Sequence, residues 1–219
     1  MTTIGVKICG LTTPEQAREV AEMRPDAIGL VFYPRSPRHV TDEQAAEIVE
    51  VIGLEIPAVG VFVDEPVEEI LRKVDRVGLR CVQLHGRESN DDVAALMDAG
   101  ATVINVRKET GPALLHAASK SPATRFLVEA QRGELPGGNG MVWEWSKAAG
   151  LGIEYPFVLA GGLTPENVAD AIDQAHPDAV DVSSGVEASP GVKDLEKVKR
   201  FIANARAITP TWRVRNVFA

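Results

Sequence analysis

Apolar, β-branched runs alternate along this chain with stretches whose apolar residues recur at helical spacing. Ile4–Cys9 predicts a first strand, and Thr13-Pro14-Glu15-Gln16 predicts a helix start, with a capping threonine and proline at the first helical position. Ala17, Val20 and Ala21 give that helix its apolar stripe. The same grammar repeats. Ala27–Phe32 predicts a second strand, and Thr41 caps a helix carrying Ala45, Ile48 and Val49. Ala58–Val63 predicts a third, with Val67, Ile70, Leu71 and Val74 on its helix. Leu79–Leu84 is followed by a helix over Asp91–Ala99 ending at Gly100, and Thr102–Val106 by one over Pro112–Ser119. Arg125–Val128 predicts a sixth strand, Phe157–Ala160 a seventh with a helix capped at Thr164-Pro165-Glu166, and Ala179–Val182 an eighth before a last helix over Leu195–Ala205.

These strands are continuously apolar, the mark of strands buried on both faces, as in a parallel sheet covered by helices. Eight strand–helix units of about 25 residues predict a single-domain (β/α)8 TIM barrel over residues 1–208, with a doubly wound open sheet as the runner-up. The sixth unit is the weakest, since Glu134–Gly140 is a proline- and glycine-rich loop and the helix near Ser146 is short. Residues 209–219, with Pro210, Trp212, Arg213 and Arg215, carry no periodicity and read as a flexible or docking extension.

Composition narrows the function classes. At 45% hydrophobic and 25% charged, 219 residues can bury a sizeable core. The net charge of −8 argues against a general nucleic-acid binder, which needs a basic face. Cys9 and Cys81 have no metal-ligand spacing and no disulfide framework, so a reducing cytoplasm is the expected compartment and no metal is expected. No basic-then-apolar leader is present, and no apolar run approaches the roughly 20 residues that span a bilayer.

In such a barrel, chemistry sits where the strands end. Those ends deliver Cys9, then Tyr33 with Arg35-Ser36-Pro37-Arg38-His39, then Asp64, Gln83-Leu84-His85-Gly86, Arg107, Glu129, Ala160-Gly161-Gly162 and Asp181-Val182-Ser183-Ser184-Gly185-Val186-Glu187. The glycines and serines after strands seven and eight let backbone N–H groups approach an anion, so Gly161, Gly162, Ser183, Ser184 and Gly185 predict a phosphate site; tight turns alone are the plain alternative. Lys7 alternates with Ile8 and shares a side with Cys9, where its ammonium would favour thiolate; an orientation away from the thiol, imposed by barrel geometry, is the alternative. A buried, inert thiol is the alternative for Cys9. A lone histidine such as His85 is more often packed than catalytic.

The strand-end motifs resemble those of the phosphoribosylanthranilate isomerase family of tryptophan biosynthesis from Val6 to about Ala205. Lys7-Ile8-Cys9-Gly10, Ser36-Pro37-Arg38, Gly60-Val61-Phe62-Val63, Gln83-Leu84-His85-Gly86, Leu159-Ala160-Gly161-Gly162-Leu163, Val180–Glu187 and Pro190-Gly191-Val192-Lys193-Asp194 follow in family order. The resemblance implies a cofactor-free Amadori rearrangement of a small phosphosugar amine, N-(5-phosphoribosyl)anthranilate. In it Cys9 is the general base, Glu129 the general acid, and Arg38 the partner of the anthranilate carboxylate. Lys7, His85, Arg107 and Asp181 join the substrate-binding set, and Gly138 and Gly140 join the phosphate-binding set. A monomer or homodimer, with no nucleic-acid or membrane partner, is expected. The sixth unit departs from the family pattern. Glu129 stands where the family has aspartate, Asn139 where threonine or serine is usual, and Trp143-Glu144-Trp145 where phenylalanine-aspartate-tryptophan is expected. Two further readings stand beside it: a paralogous isomerase of a related phosphosugar amine, prompted by that departure, and a non-catalytic barrel that binds a phosphosugar.

Overall fold

The computed structural model describes residues 3–129 and 142–218. Eight parallel strands close into one barrel in the order β1 to β8: Gly5–Cys9, Ala27–Val31, Ala58–Phe62, Cys81–Leu84, Thr102–Arg107, Arg125–Val128, Phe157–Leu159 and Ala179–Val182. Closure is made by β1 pairing with β8, Lys7 opposite Asp181, while Cys9 lies opposite Gly29 of β2. The helices that cover it are α1 (Pro14–Glu22), α2 (Asp42–Ile52), α3 (Val67–Val77), α4 (Asn90–Asp98), α5 (Pro112–Ser119), α6 (Leu151–Glu154), α7 (Val168–Ala175) and α8 (Leu195–Ala207). The eight-unit barrel is therefore observed, and the open sheet is excluded.

Each strand sends alternate side chains to two different layers. Ile8, Ile28, Leu30, Phe62, Leu84, Phe126, Leu159 and Val180 pack outward against the helices. Ala27, Val59, Cys81, Ile104, Leu127, Val158 and Ala179 fill the barrel interior. The helices begin where the sequence supplies an acceptor. Thr13 takes the Gln16 N–H, and Thr41 and Gln44 cap each other reciprocally, as do Ser89 and Asp92.

One local expectation is corrected, and one element is new. The seventh helix does not start at the Thr164-Pro165-Glu166 cap but at Val168, because the Asn167 amide folds back, accepting from the Thr164 N–H at 2.8 Å and donating to the Gly162 carbonyl at 2.9 Å. The chain after β8 forms a short 3-10 turn over Ser184–Val186 and an antiparallel hairpin, β9 (Glu187–Ser189) with β10 (Val192–Lys193), which the sequence pattern does not announce.

The extension beyond α8 is docked. Val217 and Phe218 are buried against Ala27, Val59, Cys81 and Ala179 at the floor of the barrel, the end where the strands begin. The Phe218 carbonyl accepts from the Cys81 thiol at 3.3 Å. Arg215 ties the segment to Asp178, and Trp212 donates to the Pro177 carbonyl.

Candidate active site

At the opposite end, the inward positions of the strands carry polar groups. On β1 both Lys7 and Cys9 point into the barrel. Lys7 is fully buried, and its Nζ donates to Asp181 Oδ1 of β8 at 2.9 Å. The same ammonium is close enough to the Cys9 sulfur for each to influence the other's charge. Burial pulls the Lys7 pKa down, but Asp181 and Cys9 together outweigh it and the ammonium is held above its ordinary range. For Cys9 the balance falls the other way. Burial pushes the thiol up, Lys7 and Lys193 draw it down, and the Asp181 carboxylate opposes them, so the net shift is upward. Lys7 and Lys193 thus limit the cost of forming a thiolate inside the barrel.

The sulfur has space because residue 29 has no side chain. A Cβ at Gly29 would stand 2.6 Å from Cys9 Sγ. Cys9 also contacts an apolar wall made of Val31, Val61 and Tyr33.

A second cluster stands beside the first. Arg38, in the loop after β2, is buried, and its Nε and Nη2 donate to the two oxygens of Glu187 at 2.8 Å each. Lys193 of β10 closes the cluster, donating to Glu187 Oε1 at 2.8 Å and to the Ser183 carbonyl at 3.2 Å. Burial raises the Glu187 pKa, but Arg38 and Lys193 overcome it and hold the carboxylate ionised below its usual range. Burial is the stronger influence at Lys193, whose pKa is lowered despite Glu187. Gly10 is needed beneath this cluster. Its φ is +81°, and a Cβ there would stand 2.6 Å from Arg38 Cδ.

The third cluster is a chain of side chains across β4 and β6. Gln83 Nε2 lies 3.1 Å from His85 Nδ1, and His85 Nε2 lies 2.7 Å from Glu129 Oε1, all buried. Gln83 Oε1 is buried with no hydrogen-bond partner among the described residues. Glu129 adjoins the loop after β7, since a Cβ at Gly161 would stand 3.3 Å from Glu129 Cβ.

Gly161 and Gly162 both adopt positive φ, at +87° and +70°. Two indoles brace that loop, Trp143 Nε1 donating to the Ala160 carbonyl at 3.0 Å and Trp145 Nε1 to the Gly161 carbonyl at 3.2 Å. Gly185 seats the next loop directly on the Leu163 carbonyl, where a Cβ would fall only 1.9 Å from the oxygen. Among the described residues, no acceptor is found for the backbone N–H of Gly162 or Ser184.

The structure thus gathers Lys7, Cys9, Arg38, His85, Glu129, Gly161, Gly162, Asp181, Ser183, Ser184 and Gly185 at one end of the barrel. Arg107 is not brought there. Ile104 and Val106 are the inward residues of β5, so Arg107 faces the helix layer, its guanidinium 5.7 Å above the Phe126 ring. This placement lends its expected contact with substrate no support. Gly138 and Gly140 lie outside the described residues. Sequence reasoning missed roles for Gln83, Gly29, Glu187, Lys193 and Trp143. Strand parity would have flagged Gln83 and Gly29, and the ion cluster around Glu187 has no local signal. Among the described residues no group of three or more His, Cys, Asp and Glu is placed to hold a metal, and no helix is long and apolar enough to cross a membrane.

Residues 6–204 match the family model for N-(5'-phosphoribosyl)anthranilate (PRA) isomerase. The chain belongs to that family. It is 48% identical over 216 residues to N-(5'-phosphoribosyl)anthranilate isomerase of Desulfatibacillum aliphaticivorans, covering 99% of each chain. The crystal structure of phosphoribosyl anthranilate isomerase from Thermotoga maritima superposes with a TM-score of 0.85 at 38% identity, covering 94% of this chain and all of that one. A phosphoribosyl anthranilate isomerase in complex with reduced 1-(o-carboxyphenylamino)-1-deoxyribulose 5-phosphate superposes at 0.83 with 36% identity, over 94% of this chain and all of that one. By this membership the chain is an isomerase of tryptophan biosynthesis.

Proposed function

We propose that the three clusters carry out an Amadori rearrangement of N-(5'-phosphoribosyl)anthranilate, with Cys9 as base and Glu129 as acid. The observation that carries the reading is the convergence of a buried thiol and a buried carboxyl, from β1 and the end of β6, inside one barrel mouth. Glu129 gives its proton to the furanose ring oxygen as the C1–O bond breaks, and the nitrogen lone pair forms the iminium. Cys9 thiolate takes the C2 proton. The C–H electrons form the C1–C2 double bond, and the iminium pair returns to nitrogen, giving an enolamine. That species loses its enol proton and gains one at C1 to become the ketone.

Binding follows from the neighbours. The Arg38 guanidinium has its Nε and Nη2 committed to Glu187, which leaves the Nη1 edge for the anthranilate carboxylate. The wall of Val31, Val61 and Tyr33 suits the aromatic ring. The N–H groups of Gly162 and Ser184 suit the phosphate. Asp181, fixed by Lys7, is suited to accept from the sugar hydroxyls. A glutamate in place of the family's aspartate lengthens the acid by one methylene, and its bond to His85 holds that longer arm in one position.

The test is direct. Purified protein receives phosphoribosylanthranilate generated in situ, and turnover is followed by loss of its fluorescence. Cys9→Ala and Glu129→Ala should each lower kcat by about 10³-fold, within the range a positioned acid or base contributes. Robust turnover in Glu129→Ala rejects the acid, and binding without turnover in the unmodified chain rejects catalysis.

A further inference from the structure

The buried chain Gln83–His85–Glu129 has a direction. The Gln83 amide nitrogen faces His85 Nδ1 at 3.1 Å, so that ring nitrogen presents a lone pair and the ring proton sits on Nε2. Nε2 then donates to Glu129 Oε1 at 2.7 Å. An oxygen that is already accepting this bond is the poorer place for a carboxylic proton. Protonated Glu129 therefore carries its hydrogen on Oε2, which has no partner among the described residues.

We propose that Gln83 is a positioning residue for the acid: it fixes the His85 tautomer, and the tautomer aims the Glu129 proton away from His85 and into the barrel mouth. The inference rests on Glu129 being the acid.

The opposite arrangement makes the point by contrast. With the Gln83 amide rotated, Oε1 would accept from Nδ1–H, and Nε2 would face Glu129 as a lone pair. A bond at 2.7 Å then requires the glutamic proton on Oε1, pointing into the ring and away from substrate. The observed orientation leaves Gln83 Oε1 buried and unpartnered. Such an orphan acceptor carries a desolvation penalty that an apolar side chain filling the same space would not incur. Gln83 is 1% exposed and points inward on β4, beneath the reacting groups rather than among them. It acts only through the ring. When Glu129 has released its proton, the Nε2–H bond remains and stabilises the carboxylate, so the tautomer serves both protonation states of the acid.

The experiment reads the ring first and turnover second. Uniformly 15N-labelled full-length protein, without ligand, is examined by long-range proton–nitrogen correlation, which separates the two neutral tautomers and the doubly protonated ring. The chain has four histidines, and the His85 signals are those lost in His85→Asn. The Nε2–H pattern is expected in the unmodified protein, and an Nδ1–H pattern overturns the proposal without any variant. Gln83→Glu puts a carboxylate opposite Nδ1 and should move the proton there. With it kcat should fall by about 10²-fold, the low end of an acid's contribution, while KM stays within a factor of about two. Gln83→Met keeps the volume, controls for folding, and should lie between the two. A shifted ring in Gln83→Glu with kcat unchanged also overturns the proposal. Retained turnover in Glu129→Gln overturns the acid assignment instead, and that result is independent of what the ring spectrum reports.

Discussion

At the floor of the barrel, Asp178 accepts from the backbone N–H groups of Phe157 and Arg215 and from the Arg215 guanidinium, and that guanidinium goes on to the carbonyls of Gly152 and Tyr155. Both oxygens of that carboxylate are saturated with protein partners. At the mouth, Arg38, Glu187, Lys193, Lys7 and Asp181 are also buried, yet among the described residues the Gly162 and Ser184 N–H groups, one edge of Arg38 and one oxygen of Glu129 have no partner. The two ends use the same chemistry of buried ion pairs. One is closed on itself and can only stabilise the fold, while the other is left open in the places where the proposed phosphorylated, carboxylated ligand would put its charge.

The contrast predicts that floor variants lose stability at constant specific activity, and mouth variants the reverse. The largest effect is expected for Asp178→Ala. It strands the Arg215 charge and the Phe157 N–H and should cost about 3–5 kcal/mol, seen as a melting temperature lower by roughly 10 °C, with kcat per folded molecule unchanged. A large loss of kcat in the folded variant would break the division between the ends. Next is Gly29→Ala, which forces the Cys9 sulfur to move. With a Cβ placed 2.6 Å from Sγ, kcat should fall by about 10²-fold with KM little altered, measured by steady-state assay beside a thermal melt. An unchanged kcat would show that the thiol position is not critical. The smallest effect is a displacement. If thiolate is the active form, kcat/KM rises with pH through the Cys9 pKa, which burial has raised. Lys7→Met removes a cation that favours thiolate and leaves Asp181 opposing it, so this rising limb should move to higher pH. Movement to lower pH, or none, would remove Lys7 from any part in setting the thiol.

Most of the barrel was legible because its strands are buried on both faces, which writes them as unbroken apolar runs, and because Thr13, Thr41 and Gly100 mark helix ends by local hydrogen-bonding rules. The start of α7 was not, since Asn167 competes with the Thr164 cap only once the chain has folded back on Gly162. Cys9 and Glu129 could be found because they end strands. Arg107 also ends a strand, but its parity turns it to the other face, and an inward count from Ile104 would have said so. Glu187 meets Arg38 across 149 residues, so nothing local to either one announces the pair. The docking of Phe218 is equally silent, being one contact with the floor rather than a periodic face.

The seat of Gly185 on the Leu163 carbonyl has a bearing on how such barrels are recombined. Strand–helix units are often treated as interchangeable modules. Here the seventh and eighth are keyed to each other by backbone contact that admits no methyl group. A chimera whose imported unit brings a side chain to position 185 acquires a collision with that carbonyl, whereas importing both units together keeps the joint intact. The natural cut points of this chain therefore lie before β7 or after α8, and the last two units travel as a pair.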